Sequence, residues 1–115
     1  MIDLSTINKI YISPGDTDLR MGIDGYAAMV EHAFSLDPFD NSIYLFCNKR
    51  HNKLKILHFD GTGFWLYYKR FETGTIKWPK NKDVKEINKK EILYLLDGIK
   101  MDQKSLPTIR PKSAL

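Results

Sequence analysis

Short segments rich in β-branched and aromatic residues occupy the middle of the chain, a pattern typical of β-strands. Links containing glycine or asparagine separate them, as in antiparallel hairpins. The segments are IYLFCNK (43–49), KLKILHF (53–59), FWLYYKRF (64–71) and TIKW (75–78). One more short segment, KIYIS (9–13), precedes them and stops at Pro14 and Gly15. The pattern predicts an antiparallel meander of four strands, with the first short segment as a candidate fifth.

Before the meander, hydrophobic residues recur at spacings of three and four, which predicts an amphipathic helix. The apolar stripe consists of Leu19, Ile23, Tyr26, Ala27, Val30 and Phe34. Asp16, Thr17 and Asp18 are suited to cap its N-terminus. Gly22 and Gly25 each disfavour a helix interior by about 1 kcal/mol relative to alanine. The helix therefore either begins later than Leu19 or packs closely against another backbone.

After the meander, residues 83–101 predict a second helix with one apolar stripe. The stripe consists of Ile92, Leu95, Leu96 and Ile99, and the candidate capping boxes are Asp83 with Glu86 and Asn88 with Glu91. The fold class is therefore α+β: four to five antiparallel strands, with one helix before and one after, packed on one face. Residues 1–101 form the predicted single domain, and residues 102–115, with two prolines and little apolar content, the predicted mobile tail.

The composition is that of one ordinary globular domain. The chain has 115 residues, of which 43% are hydrophobic and 28% charged. No apolar run reaches the roughly 20 residues of a membrane-spanning helix, and the N-terminus lacks the layout of a signal peptide. The single cysteine, Cys47, fits a small core residue in a reducing compartment. We therefore expect a cytoplasmic protein.

The formal net charge of +4 is unevenly distributed along the chain. Residues 1–48 carry two cations and seven acids, residues 49–82 carry nine cations and two acids, and residues 83–115 carry seven cations and five acids. A strongly basic middle segment suggests an anionic partner such as nucleic acid. Lysines that keep a sheet edge soluble would give the same pattern.

No motif for catalysis or cofactor binding is present. Cys47 and His51 have no second ligand pair for zinc, and no nucleophile elbow or phosphate loop occurs. Asp16, Asp18 and Asp24 could hold a metal for phosphoryl transfer, although the first two fall where helix caps are expected. The sequence thus predicts no catalytic residue, no metal site and no cofactor.

The segment FWLYYKRF combines rings with cations on a strand. Alternation places Trp65, Tyr67, Lys69 and Phe71 on one face and Phe64, Leu66, Tyr68 and Arg70 on the other. Exposed rings beside cations suit the stacking of bases and the binding of phosphates. They suit a protein partner equally well, since Tyr, Trp and Arg are common interface anchors.

Several segments together resemble a known family. YISPGDTDLRMGIDGYAAMV, DPFDNSIYLFCNKRHNKLKILHFDGTGFWLYYKRFETGTIKWP and LLDGI resemble the small accessory protein, often labelled TnpB and Orf2-like, of bacterial insertion sequences of the sixty-six family. That protein is distinct from the RNA-guided nucleases that share the label. The resemblance covers about Ile10 to Ile99. It implies a protein that acts beside a larger transposase, which carries out the DNA strand transfer.

The residues and the resemblance lead to one expectation for function. We expect a non-catalytic accessory subunit of a DNA transposition complex. Its expected partners are DNA, with the terminal inverted repeats as the candidate sequence, the transposase subunits of the same element, or both. The expected phosphate contacts are Lys49, Arg50, Lys53, Lys69 and Arg70, and the expected stacking or interface rings are Trp65 and Tyr67. The alternatives are a pure protein adaptor and a metal-dependent nuclease that uses Asp16, Asp18 and Asp24.

Overall fold

The computed structural model describes residues 2–97, which form a five-stranded sheet between two helical regions. The elements are β1 (Ile10–Ile12), α1 (Ile23–Ala28), β2 (Ile43–Cys47), β3 (Lys53–Phe59), β4 (Phe64–Arg70), β5 (Lys85–Ile87) and α2 (Lys89–Asp97). A 3₁₀ turn, Leu4–Thr6, precedes β1, and a π-helical turn, Met29–Ala33, continues α1. The α+β class is confirmed.

The strand order is β4-β3-β2-β1-β5, and the sheet is mixed. β2, β3 and β4 form the predicted antiparallel meander, and β1 joins the sheet as a further strand. β1 pairs with β2 in parallel, however, with Ile10 opposite Ile43. The purely antiparallel prediction is therefore wrong. β1 and β2 are parallel because α1 lies between them in the chain and returns it to the end of the sheet where β1 began.

The last strand lies later in the chain than the pattern predicted. Residues 75–78 are not a strand, because Ile76 and Trp78 are buried as core side chains of an irregular segment. The last strand is instead β5, whose residues lie within the segment predicted as the second helix. β5 pairs antiparallel with β1. α2 therefore begins at Lys89, after Asn88. The capping box of Asn88 with Glu91 is confirmed by reciprocal bonds of 2.8 and 2.9 Å, whereas Glu86 lies in β5.

The two helices cover opposite faces of the sheet. α1 packs on what we call the α1 face, over Tyr44, Phe46 and Leu57. α2 packs on the α2 face, over side chains that include Leu45 and Ile56. The prediction that both helices pack on one face is therefore wrong. The physical reason is that the strands carry apolar side chains on both sides, so that all five residues of β2 are buried.

α1 begins at Ile23, later than Leu19, which confirms one of the two alternatives for its start. Gly22 is the N-cap residue, and no side chain caps the helix. Capping by residues 16–18 was therefore a wrong prediction. Thr17 is instead tied to the end of β2, since its backbone N–H donates to the carbonyl of Cys47 at 2.8 Å.

Cys47 is fully buried, and burial raises the pKa of its thiol to about 12, which agrees with the predicted core role. The predicted extension of the second helix to residue 101 and the predicted tail lie outside the described residues. Within residues 2–97, no helix has the length and apolar character needed to cross a membrane.

Candidate nucleic-acid interface

The turn between β2 and β3 presents two cations on a fixed backbone. The Asn48 side chain accepts from the backbone N–H groups of Asn52 at 3.0 Å and Lys53 at 2.9 Å. Its amide also donates to the Asn52 side chain at 2.7 Å. His51 adopts a left-handed conformation with φ of 59°, which closes the turn. Lys49 and Arg50, between these fixed residues, are exposed.

The segment after β4 lies against this turn. The backbone N–H of Phe71 donates to the Asn52 carbonyl at 2.8 Å, and that of Ile76 donates to the His51 carbonyl at 2.7 Å. Because Ile76 and Trp78 are buried, the residue between them, Lys77, is held next to the turn with its side chain exposed. The sequence pattern gave no signal for Lys77, since it depends on the packing of its neighbours.

Lys53 and Arg70 are directly opposite each other on β3 and β4. They lie on the α1 face, at the same end of the sheet as the turn. We call this set of cations the basic end: Lys49, Arg50, Lys53, Arg70 and Lys77. Four of the five cations predicted as phosphate contacts thus converge at one place in the structure. Lys77 is the additional member.

A tyrosine lies beside the basic end on the α1 face. Tyr68 is 54% exposed and is paired with Lys55, whose Nζ is 6.0 Å from the centroid of the Tyr68 ring. A groove of about 510 Å³ separates this ring from the loop before α1. Its lining comprises Asp18, Leu19, Arg20, Asn48, Lys53, Lys55, Leu66 and Tyr68. The alternation of β4 contained the signal for this arrangement, since Tyr68 shares its face with Arg70.

The predicted rings Trp65 and Tyr67 lie on the α2 face. They stack on each other with centroids 5.9 Å apart. The Trp65 indole donates to Asp60 at 2.8 Å, in the turn between β3 and β4. Backbone donation from Thr62, followed by the indole bond, holds the pKa of Asp60 well below its usual range. The structure therefore places Trp65 near the end of β4 that is far from the basic end, and Tyr67 at the middle of the strand, both on the opposite face from Lys53 and Arg70.

Lys69 also lies on the α2 face, apart from the other predicted cations. Its Nζ is 4.7 Å from the centroid of the Phe71 ring, and it donates to the carbonyl of Leu96 near the end of α2. A cation at a helix C-terminus is favoured by the partial negative charge there. Lys69 thus has contacts within the chain that differ from those of the basic end.

Nearby carboxylates balance some of the cations. Asp18 accepts a two-pronged contact from Arg20, at 2.8 and 3.0 Å, and these hydrogen bonds lower the pKa of Asp18 to about 2. Glu72 pairs with Arg70 at 2.7 Å. Among residues 2–97, Lys49, Arg50 and Lys53 form no ion pair. The excess positive charge therefore belongs mainly to the turn.

The carboxylates considered for a metal have separate roles. Asp16 lies 3.4 Å from the His51 ring, Asp18 is paired with Arg20, and Asp24 lies in the first turn of α1. No cluster of three or more His, Cys, Asp or Glu side chains suited to a metal ion occurs in the part of the chain that the structure describes.

Comparison with known proteins gives a consistent result. Two uncharacterised proteins of Sinorhizobium fredii are similar to the chain. The protein y4hO is 32% identical over 79% of this chain and 80% of its own length. The protein y4jC is 31% identical over 96% of this chain and 97% of its own length. No solved structure matches the chain.

A family comparison covers most of the chain. The model of the IS66 Orf2-like proteins matches residues 8–105. This match includes the whole sheet, α1, α2 and the basic end. It agrees with the resemblance seen in the sequence and associates the chain with the transposition machinery of an insertion sequence. The chain belongs to the IS66 Orf2-like family, which indicates an accessory role in transposition.

Proposed function

We propose that the chain is a non-catalytic accessory subunit of a DNA transposition complex and that its basic end contacts the phosphate backbone of DNA. Family membership supports the accessory role. The DNA contact is supported by one observation above all: a turn fixed by Asn48 exposes Lys49 and Arg50 beside Lys53. Cations on a fixed backbone bind phosphates with a smaller loss of conformational entropy than cations on a mobile loop.

Tyr68 adds an apolar contact to the same surface. Its exposed ring shares the α1 face with Lys53 and Arg70, so that a nucleotide whose phosphate meets these cations brings its base or sugar toward the ring. Stacking of a base on an aromatic side chain contributes about 1–3 kcal/mol. Trp65 and Tyr67 lie on the opposite face and take no part in the proposed DNA contact.

DNA binding through the basic end is tested by charge removal. We expect the variant Lys49→Ala/Arg50→Ala/Lys53→Ala to bind a duplex carrying the terminal inverted repeat at least about tenfold more weakly at moderate salt. Loss of three phosphate contacts also reduces the slope of log affinity against log salt by about 3. Fluorescence anisotropy across a salt series measures both quantities.

A matched control removes the same charge elsewhere. Lys9, Lys89 and Lys90 are exposed and lie next to Ile10 and Ile87, at the opposite end of the sheet. We expect the variant Lys9→Ala/Lys89→Ala/Lys90→Ala to keep the affinity and salt slope within the small effect of a lower net charge. Equal losses in both variants would show that only net charge matters, which would contradict the proposed surface.

The protein-adaptor alternative gives a different result in the same system. An adaptor binds no DNA at moderate salt but is retained by the transposase, with or without inverted-repeat DNA. A pull-down of the transposase with wild type and with the basic-end variant therefore separates the two functions. Retention that requires DNA and fails in the basic-end variant supports the proposed function.

A further inference from the structure

β4 lies at the end of the sheet, and its outer edge is unpaired among residues 2–97. The strand has seven residues, Phe64–Arg70, without proline or glycine. A long edge strand of this kind offers its backbone N–H and C=O groups to another strand. β5, the strand at the other end of the sheet, has only three residues and carries two exposed charges, Lys85 and Glu86.

The pairing of β4 with β3 determines which backbone groups point outward. The bond from Phe71 N–H to the Asn52 carbonyl and the bond from Asp60 N–H to the Gly63 carbonyl mark both ends of the ladder. Because hydrogen-bonded and non-bonded pairs alternate in an antiparallel ladder, residues 65, 67 and 69 bond inward to β3. Residues 64, 66, 68 and 70 therefore direct their N–H and C=O groups to the outer edge.

We propose that two copies of this chain pair through their β4 strands, antiparallel and in the register that places Tyr67 opposite Tyr67 of the second copy. A two-fold axis then passes between the two Tyr67 residues. Residue 66 is opposite residue 68 of the second copy, and residue 64 is opposite residue 70. All four outward-directed residues of each strand thus form hydrogen-bonded pairs, and the two sheets become one sheet of ten strands.

The side chains of β4 are complementary in this register. The strand has rings at its start and cations at its end, so antiparallel pairing places Lys69 opposite Trp65 and Arg70 opposite Phe64 of the second copy. A cation is attracted to the face of a neighbouring aromatic ring, most strongly when the ring is that of tryptophan. The centre of the interface is formed by Leu66, Tyr67 and Tyr68 from both copies, which are apolar or aromatic cross-strand neighbours.

Other registers lack this complementarity. A slip of two residues toward the C-terminus places Tyr68 opposite Tyr68 and pairs only three of the four outward-directed residues of each strand, 66, 68 and 70. A slip of four places Lys69 opposite Lys69, and like charges directly opposite each other are destabilising. A shift by two toward the N-terminus leaves Lys69 and Arg70 without a partner strand. A shift by one would place outward-directed groups opposite inward-directed ones, which breaks the ladder. Only the register with Tyr67 opposite Tyr67 therefore pairs β4 with a second copy along its whole length.

Cysteine cross-linking tests both the partner and the register. Directly opposite residues in non-hydrogen-bonded pairs have Cα atoms about 4.5 Å apart, within the range of about 4.4–6.8 Å for disulfides. We expect Tyr67→Cys to form a covalent dimer with itself under mild oxidation. A mixture of Trp65→Cys and Lys69→Cys should form the mixed dimer in preference to either self-dimer. Wild type, whose Cys47 is buried, is the control.

A proline variant tests the role of the backbone. The N–H of Tyr68 points to the outer edge, so Tyr68→Pro removes a bond of the proposed dimer without removing one between β3 and β4. Tyr68→Ala removes the same ring and keeps the N–H. We expect light scattering to show a dimer for wild type, a weaker dimer for Tyr68→Ala, which loses the ring at the centre of the interface, and a monomer for Tyr68→Pro, with unchanged circular dichroism in all three.

Two outcomes would overturn the proposal. The first is that wild type remains a monomer at all concentrations and that Tyr67→Cys does not cross-link. This result would leave the β4 edge for a strand of another protein. The second is cross-linking in which self-dimers of Lys69→Cys form as readily as the mixed dimer, because that result requires a different register. The cross-linking assay needs no DNA and is therefore independent of the proposed function.

Discussion

The α1 face and the α2 face of the sheet bury side chains of different chemistry. The α1 face is aromatic: Tyr26 and Phe46 lie with ring centroids 4.5 Å apart, and Tyr11 stacks on Tyr44 at 5.4 Å. The α2 face is mainly aliphatic, with isoleucine and leucine from β1, β2, β3 and α2. The chemical difference is that the α1 face buries tyrosine hydroxyl groups, those of Tyr26 and Tyr44, in its core.

The hydroxyl groups of the α1 face hold loops in place. Tyr26 donates to the Asp18 carbonyl at 3.1 Å, and Tyr44 donates to the Asp37 carbonyl at 2.8 Å. Burial is the main cause that raises the pKa of Tyr26 to about 12, so the hydroxyl remains a donor at neutral pH. The aliphatic face thus supplies stability, whereas the aromatic face also positions the loop that borders the groove beside the basic end.

The largest effect is expected from truncation on the aliphatic face. Leu95 is fully buried in α2, and Leu95→Ala leaves a cavity against the sheet. We expect a loss of about 2–5 kcal/mol in the free energy of unfolding, measured by urea denaturation. Leu93, on the same helix but 50% exposed, is the control: Leu93→Ala should change stability by less than about 1 kcal/mol. Equal losses would contradict the assigned faces.

A smaller effect is expected from removal of one hydroxyl on the aromatic face. Tyr26→Phe keeps the ring but loses the bond to the Asp18 carbonyl, at a cost of about 0.5–1.5 kcal/mol. Faster hydrogen exchange in residues 16–20 would show that the loop is released. Tyr11→Phe, on the same face, is the control, since the Tyr11 hydroxyl forms no hydrogen bond within residues 2–97. A loop unchanged in Tyr26→Phe would refute the positioning role.

The smallest effect concerns the polar exception on the α2 face, His58. Its Nε2 is 2.8 Å from the Asn41 side-chain oxygen, and the Asn41 amide donates to the Thr6 carbonyl, so His58 donates through Nε2. Its buried Nδ1 has no partner among the described residues. Burial lowers the pKa of His58, with Asp60 opposing the shift more weakly. Protonation is therefore less favourable in the folded state than in the unfolded state.

The sign of the pH dependence follows from this difference. The unfolded chain binds a proton at His58 more readily than the folded chain does. The contribution of neutral His58 to the free energy of unfolding is therefore complete above the ordinary histidine pKa of about 6.5 and is lost as the pH falls below it. We expect the urea concentration at the midpoint of denaturation to decrease when the pH is lowered from 7.5 to 5.5 in wild type. In His58→Gln the decrease should be smaller. A variant with the same dependence as wild type would assign it to another group.

Local patterns predicted the elements that depend on neighbours in sequence. The β2–β3–β4 meander follows from runs and turn residues, and the start of α2 follows from the reciprocal side chains of Asn88 and Glu91. The parallel position of β1 and the strand at residues 85–87 depend on pairing between distant segments, which no local pattern encodes. β5 falls inside the predicted helix because Asp83 with Glu86 offers a candidate capping box that starts the helix before it.

The candidate site divides in the same way. Lys49, Arg50 and Lys53 come together because one short turn carries them, and this was visible in the sequence. Alternation along β4 puts Tyr68 on the same face as Arg70, and Trp65 and Tyr67 on the other face. That the face of Tyr68 also carries Lys53 depends on the register between β3 and β4, which required the three-dimensional structure. Lys77 required the burial of its neighbours.

The position of β1 in the sheet has a consequence for the order of folding. β2, β3 and β4 are joined by short turns, whereas Ile10 pairs with Ile43, 33 positions later, and with Ile87, 77 positions later. Contacts between distant segments require the closure of long loops and form slowly. We therefore expect the meander to form first and β1 to enter between β2 and β5 last. During synthesis, β1, the first strand to leave the ribosome, therefore completes its pairing in the sheet only after β5 has followed it.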